Sequence, residues 1–464
     1  RIYKVLKMSL QDSARIKLIL DGSIPSMLFK LATPNMISVL FMLIITFSEI
    51  FFAGQLGIIS LAAVSVVFPL VSLAGMIGQG AIGGGVVSAL SRSIGSNDIN
   101  RANFVVWHSF IVYLIISIIF FVLFVGFSKY IFSLIGVEEE VVNEALSYSR
   151  IFFGFSPFIF LFFLLTSIFR AFGDYQALAR INIITGIAQL ILAGSLSLGW
   201  WFLPSLGLVG LASAMIIPQA IASICMLISI FRGRYNISIK ITALRKDIFI
   251  DILRVGGVGA INSISIAVTI LVTTSYIANF GTEAVAGYGV CARLEQTLIP
   301  FAFGIGGVLT STTGVNFGAK QFARARKSAW FGASIIASIV AIVGITLSIF
   351  PSIWLNLFTT DPEAYAIGAL YLSIVGPFYM LFAFGKTLYF ASQGTGNMLF
   401  PIVGGISRLS VVSIFGILII SQDLNINYLF FTIGLAMSLV GLVLFLNMFG
   451  PNWNPERKNV SLIK

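Results

Sequence analysis

The sequence predicts an all-α membrane protein with twelve transmembrane helices in two parallel six-helix lobes around a central cleft. Charged residues are 10% of the 464 positions, apolar residues are 58%, and the mean hydropathy is +1.02, whereas about 25% of the residues in soluble domains are charged. Crossing about 30 Å of hydrocarbon takes roughly 20 apolar residues in a helix. No Asp, Glu, Lys or Arg occurs in residues 104–127, 151–169 or 181–231. These uncharged stretches are long enough to form membrane-spanning helices.

Charged or Gly/Pro-rich turns divide the apolar sequence into twelve predicted spans. Those of the first half are 28–52, 61–90, 104–127, 145–170, 181–202 and 207–231. Those of the second half are 250–279, 284–317, 328–357, 364–393, 398–420 and 426–449. The predicted domains are an N-terminal cytoplasmic segment 1–27, a first lobe 28–231, a basic linker 232–249, a second lobe 250–449 and a cytoplasmic tail 450–464.

Lysine and arginine concentrate in one set of loops, which predicts the orientation of the helices. The N-terminal segment, the linker, the tail and alternate loops hold nearly all of them, and Lys129 stands alone on the opposite side. Because cytoplasmic loops collect basic residues, we expect both termini in the cytoplasm of a multi-pass inner-membrane protein. The net charge of +11 then reflects topology. Nucleic-acid binding is not expected, since these residues lie at span ends and not on one folded face.

The two halves of the chain resemble each other in sequence. An offset of 224 residues aligns small residues and turns, and a later one-residue slip extends the match to Tyr148 and Tyr371. The aligned pairs include Leu56–Gly57 with Phe280–Gly281, Ala62 with Ala286, Gly80 with Gly304 and Gly83 with Gly307. An even number of helices in each half gives both halves the same orientation. They are therefore predicted to be parallel repeats about an axis along the membrane normal, a known plan among transporters.

Motifs in both halves are similar to those of the MATE family, the multidrug and toxic compound extrusion transporters. The first half has Pro34–Asn35–Met36, SEIFFAGQLG at 48–57 and LAAVS at 61–65, and the second has FGTEAVAGYG at 280–289 and ARLEQ at 292–296. RAFGD at 170–174 and QGTGN at 393–397 resemble the turns after helices 4 and 10. The likeness runs from about Ser26 to Asn447 and is nearer to the H⁺-coupled DinF-type pattern than to the Na⁺-coupled branch.

This resemblance implies a secondary antiporter, in which two lobes alternate between outward and inward openings. Such a protein exports amphipathic, cationic organic compounds in exchange for inward H⁺ or Na⁺. It needs no cofactor besides the coupling ion. Its expected partners are small-molecule substrates and the lipid bilayer, and a monomer is expected.

Charged residues inside predicted spans are candidates for function, because each costs about 2.5–3.5 kcal/mol at the bilayer centre. The five clearest are Glu49, Arg293, Glu295, Lys386 and Arg408. Glu49 is the only acid between Asp21 and Asp98. It matches the acidic position on helix 1 of the family, usually Asp, so the resemblance makes it the cation-coupling residue. The alternative is a buried ion pair with a fixed Lys or Arg.

Helix 5 departs from the family pattern. Some members carry an Asn and, four residues later, an Asp on this helix, where the best alignment places Thr185 and Gln189. Positions i and i+4 share one helix face, so both side chains are candidates for the substrate cavity. A proton relay through paired acids in this lobe becomes doubtful.

The second lobe has no acid in 255–282 or 364–393, where Na⁺-coupled members carry them. Lys386, inside helix 10, is a third candidate in the substrate cavity, either as a countercharge for Glu49 or as a contact for an anionic substrate group. Snorkelling of its long side chain to an interface is the alternative. Arg293 and Glu295 match the helix-8 motif and are too close for an i,i+4 pair, which leaves structural pairing or second-lobe coupling.

Pro34 lies fifteen residues before Glu49 and coincides with a family proline. Because proline removes a helical hydrogen bond, we expect it to let helix 1 bend. Among other functions, a flippase for a lipid-linked substrate is the main alternative, and a passive channel fits the two-lobe plan less well. No catalytic cluster or phosphate loop suggests an enzyme, and His108, Cys225 and Cys291 are too dispersed to predict a metal site.

Overall fold

The computed structural model describes residues 10–133, 138–202 and 204–455. The outermost parts of the predicted N-terminal segment and tail lie outside these residues. Eleven helices in the described residues are long and apolar enough to cross a membrane, and a bent pair brings the number to twelve. They are α1 Ile24–Leu56, α2 Ile58–Gly95, α3 Ile99–Gly126, the pair α4 Glu139–Gly154 and Ser156–Ala171, α5 Tyr175–Leu198, α6 Gly207–Phe231, α7 Lys246–Phe280, α8 Thr282–Gly318, α9 Phe322–Ile349, α10 Pro362–Thr395, α11 Leu399–Ser421 and α12 Ile426–Asn447.

The fourth span is not the single helix that its apolar sequence predicts. Its two parts meet at an angle of 52°, and Phe155 lies between them with non-helical φ/ψ of −100° and 19°. Pro157 occupies the first turn of the second part. Proline lacks an N–H and crowds the preceding turn, which accounts for the break.

Two other helices were predicted to extend too far at their C-terminal ends. Helix α5 ends at Leu198 and not at 202, because Gly199 caps it in the left-handed conformation at φ 77°, as glycine commonly does. Helix α9 ends at Ile349 and not at 357. Pro351 caps a separate short helix, Ser352–Leu355. The apolar sequence therefore extends beyond the end of α9.

The contacts of the chain divide it into two compact units. The first unit comprises Arg1–Lys17 and Lys30–Gly256, and the second comprises Leu18–Phe29 and Gly257–Lys464. The basic linker therefore belongs to the first unit by its contacts. Each unit consists mainly of six consecutive spans.

Glycines bring helices into close contact within each unit. In the first unit, a Cβ on Gly85 of α2 would lie 2.9 Å from the backbone nitrogen of Gly256 on α7. In the second, a Cβ on Gly385 of α10 would lie 2.8 Å from Cα of Gly441 on α12. Small residues at such crossings let backbones approach, which is a common basis of helix association in membranes.

An ion cluster closes one end of the first unit. The Oδ2 atom of Asp174, in the turn between α4 and α5, lies 2.6 Å from Arg15 and 2.8 Å from Arg234. The hydroxyl of Tyr235 donates a hydrogen bond of 2.8 Å to the same oxygen. The cluster thus joins the N-terminal segment and the linker to the turn after α4.

Candidate functional site

Glu49 is buried in the first unit, near the C-terminal end of α1. Its side chain is 8% exposed, and its Oε1 accepts a hydrogen bond from the hydroxyl of Tyr148 in the first part of α4. Within the described residues no Lys or Arg forms an ion pair with it, so the structural ion pair raised as the alternative is not observed there. Burial penalises the charged form of a carboxyl group, which makes a buried, unpaired acid suited to gain and lose a proton.

The two candidates on helix 5 form no hydrogen bond with Glu49 in the part of the chain that the structure describes. The hydroxyl of Thr185 donates to the carbonyl oxygens of Ile181 and Asn182 in its own helix, at 2.7 and 3.1 Å. Gln189 is partly buried. Their contribution to a substrate cavity stays a prediction.

Helix α5 nevertheless approaches α1 about two turns before the candidate acid. A Cβ on Gly186 would lie 2.5 Å from Cε1 of Phe41 on α1. One turn beyond Glu49 along α1, the ring of Phe52 packs edge-on against Trp200 at a centroid distance of 5.7 Å. Aromatic and small residues therefore surround this part of α1.

Pro34 lies inside α1, which runs as one helix from Ile24 to Leu56. Two polar residues of the following turn, Asn35 and Ser38, are buried. The proposed bending of α1 at this proline stays a prediction.

In the second unit, Glu295 of α8 is held by tyrosines. Its Oε1 accepts a hydrogen bond of 2.5 Å from Tyr371 and one of 3.3 Å from Tyr379, both in the Pro362–Thr395 span α10. Structural pairing of this residue with a neighbouring helix is thus observed, through the hydroxyl groups of two tyrosines. Arg293 is exposed and lies over the ring of Phe358, with Cζ 5.7 Å from the centroid.

Lys386 of α10 and Arg408 of α11 are both buried in the second unit, each 8% exposed. The Nζ atom of Lys386 lies 5.4 Å from the centre of the Phe382 ring and 5.8 Å from that of Tyr389. Snorkelling of Lys386 to an interface is therefore not observed, because the side chain is buried and its ammonium group lies near two aromatic rings of α10. Whether it serves as a countercharge for Glu49 stays a prediction.

The tyrosines that contact the two acids were not predicted as site residues. The internal repeat contained a signal, since it aligns Tyr148 with Tyr371. Tyr148 donates its hydroxyl to the buried Glu49, and Tyr371 donates its hydroxyl to the half-buried Glu295. The described residues contain no group of three or more His, Cys, Asp or Glu side chains that could hold a metal ion.

The fold and these buried charges define a polytopic membrane protein built from two helical repeats. The MatE family model matches this chain twice, at residues 34–194 and 259–419. The chain therefore belongs to the MatE family, and the two matches fall one in each half, as the internal repeat predicts. The resemblance drawn from the motifs is confirmed, while the choice between the two coupling branches stays a prediction.

Curated relatives span most of the chain. It is 26% identical over 367 residues to "Probable multidrug resistance protein YoeA" of Bacillus subtilis, covering 78% of each chain. It is 25% identical over 383 residues to "FAD transporter" of Shewanella oneidensis, covering 80% of this chain and 83% of the relative.

A solved structure confirms the fold class. A MOP superfamily transporter from Pyrococcus furiosus superposes with a TM-score of 0.84 at 22% identity, over 94% of this chain and 97% of that chain. The all-α, two-lobe membrane fold is therefore as predicted from the sequence.

Proposed function

We propose that this protein is a secondary antiporter that exports amphipathic, cationic organic compounds by alternating access, driven by inward H⁺. The observation that carries the proposal is Glu49, buried on α1 with Tyr148 as its hydrogen-bond partner. The name of the Bacillus subtilis relative supports drug export. It also favours the antiporter over the flippase of lipid-linked substrates.

Competition at one carboxyl group can couple the two fluxes. Ionised Glu49 attracts a cationic compound, and protonated Glu49 does not. Protonation from outside would then release the compound, and loss of the proton inside would restore the site. The second lobe has no acid in 255–282 or 364–393, where Na⁺-coupled members carry them, which supports H⁺ and the DinF-type branch as the coupling choice.

We also infer a monomer in the inner membrane with both termini in the cytoplasm, no enzymatic activity and no nucleic-acid partner. The distribution of lysine and arginine supports this orientation, with Lys129 alone among the loops on the opposite side. Cysteine accessibility on the two sides of intact cells tests it. Labelling of a cysteine at position 129 from outside, and of one at position 240 only after permeabilisation, is expected.

The test of coupling is substrate efflux from proteoliposomes under an imposed pH gradient or Na⁺ gradient. Wild type is expected to respond to the pH gradient, and Glu49→Gln to lose at least tenfold in the H⁺-driven rate. Glu363→Gln is the matched control, since Glu363 is exposed at the start of α10. Unchanged H⁺-driven efflux in Glu49→Gln would remove its coupling role, and full activity with Na⁺ alone would replace H⁺ as the driver. FAD, named for the Shewanella relative, is an anionic comparison compound, and a site selective for cations is expected not to export it.

A further inference from the structure

A small cavity in the second unit is lined by two basic side chains. Lys386 and Arg408 face it together with polar and apolar residues of α7, α10, α11 and α12. The other lining residues are Asn262, Ser265, Ile266, Thr269, Tyr389, Pro401, Gly405 and Val440. None of the described lining residues is acidic. The cavity volume is about 10 Å³, which is room for one occupant the size of a water molecule.

Both cations lie near one aromatic ring, and one donor of Arg408 has no partner among the described residues. The Cζ atom of Arg408 lies 4.9 Å and Nζ of Lys386 5.4 Å from the centre of the Phe382 ring. One ring thus lies near two basic groups. The Nε atom of Arg408 is buried without a hydrogen-bond partner among the described residues. A buried donor that lacks a partner is unfavourable, so a ligand with acceptor character would stabilise this arrangement.

The nearest carboxylate does not fill the cavity. Glu295 lines a neighbouring cavity that also includes Lys386, and the hydroxyls of Tyr371 and Tyr379 hold its Oε1. Two basic side chains therefore face the cavity between them, and no carboxylate among its described lining residues offsets their charge. A small anion would offset it.

We propose that this cavity binds a monovalent inorganic anion of chloride size between Lys386 and Arg408. The size of the cavity favours such an ion over a bulky organic anion, and the two basic side chains favour a negative charge. The anion stabilises the second unit by offsetting the charge of Lys386 and Arg408. This site lies in the second unit, and binding there requires neither a particular exported compound nor a role for Glu49.

The first test is thermal unfolding of the purified full-length protein in detergent, in sodium chloride or in sodium gluconate at equal ionic strength. Because a ligand that binds only the folded state raises its stability with concentration, chloride and bromide are expected to raise the unfolding midpoint and the large gluconate ion is not. Lys386→Met is expected to weaken the chloride dependence at least tenfold. Arg293→Gln, which removes an exposed positive charge of the same unit, is the matched control and should keep it.

The second test locates the ion in the wild-type protein, so it holds even where a variant fails to fold. Crystals grown in bromide are expected to show anomalous scattering between Nζ of Lys386 and the guanidinium of Arg408. The proposal is overturned when no midpoint shift distinguishes halide from gluconate, when Lys386→Met responds to chloride as wild type does, or when bromide is found only elsewhere.

Discussion

The hydroxyl of Tyr371 lies 2.5 Å from Oε1 of Glu295, and its repeat equivalent Tyr148 contacts Glu49 in the same way. The two acids are not equivalent, since Glu49 lies on the first helix of its half and Glu295 on the second. The repeats therefore share a tyrosine on the fourth span but place the partner acid on different helices. The two units therefore share one helical architecture but differ in the position of the acid that the tyrosine contacts.

The pair in the second unit is expected to stabilise the fold. Tyr371→Phe removes the shorter of two hydrogen bonds to the half-buried carboxyl group of Glu295, and leaving a buried polar group without its partner costs about 1–3 kcal/mol. A double-mutant cycle with Glu295→Gln, followed by thermal unfolding in detergent, measures the coupling between the two side chains. Strictly additive losses in the two single variants would mean that the hydrogen bond contributes nothing to stability.

The Asp174 cluster is expected to make stability depend on pH. Burial raises the pKa of this carboxyl, but the hydrogen bond from Tyr235 and the charges of Arg15 and Arg234 outweigh it, so the pKa is lowered overall. A lowered pKa in the folded state contributes stability above the unfolded value of about 3.9, and this contribution is lost as the pH falls through the folded pKa.

Asp174→Asn is therefore expected to be less stable than wild type at pH 7, with a difference that shrinks toward zero in acid. Unfolding midpoints between pH 7 and pH 3 measure this. Asp423→Asn is the control, because Asp423 is exposed in a turn. A difference between Asp174→Asn and wild type that is constant over this range would show that the carboxyl is not ionised in the cluster.

The apolar spans and their charges were sufficient to predict the helices and to identify Glu49 as an acid inside a span, and the motifs of both halves indicated the family. The partner of Glu49 was not predictable in this way, because Tyr148 lies 99 positions away and meets it only through the packing of α4 on α1. A buried tyrosine has no distinctive local pattern. Similarly, the position of Lys386 within an apolar span left snorkelling open, and only the enclosing rings of Phe382 and Tyr389 decide against it.

Breaks within apolar sequence were also hard to locate. Residues 145–170 read as one span, yet the chain bends at Phe155. Hydropathy does not change there, since the residues on both sides are apolar. The bend depends on Pro157 and on the contacts of the second part of α4, as in the hydrogen bond of 3.0 Å from Ser156 to the carbonyl oxygen of Ser117.

Pro34→Ala is expected to slow transport without loss of stability. The variant restores a backbone donor inside α1 and removes the proline penalty in a helix interior, so α1 should resist bending. Initial efflux rates and unfolding midpoints are compared with those of Pro362→Ala, in the first turn of α10, where proline is tolerated. Normal transport by Pro34→Ala would discard the bending role.

Tyr148→Phe and Tyr371→Phe together test whether coupling belongs to the first unit. Both tyrosines are buried at 1% exposure or less, and each change removes one oxygen atom. Tyr148→Phe leaves Glu49 without its hydroxyl partner and is expected to lower H⁺-driven efflux at least tenfold, while substrate binding at fixed pH changes little. Tyr371→Phe, measured in the same proteoliposomes, is expected to keep most of the H⁺-driven rate. Equal losses in both variants would contradict a coupling site confined to Glu49, because Tyr371 acts on an acid of the other repeat.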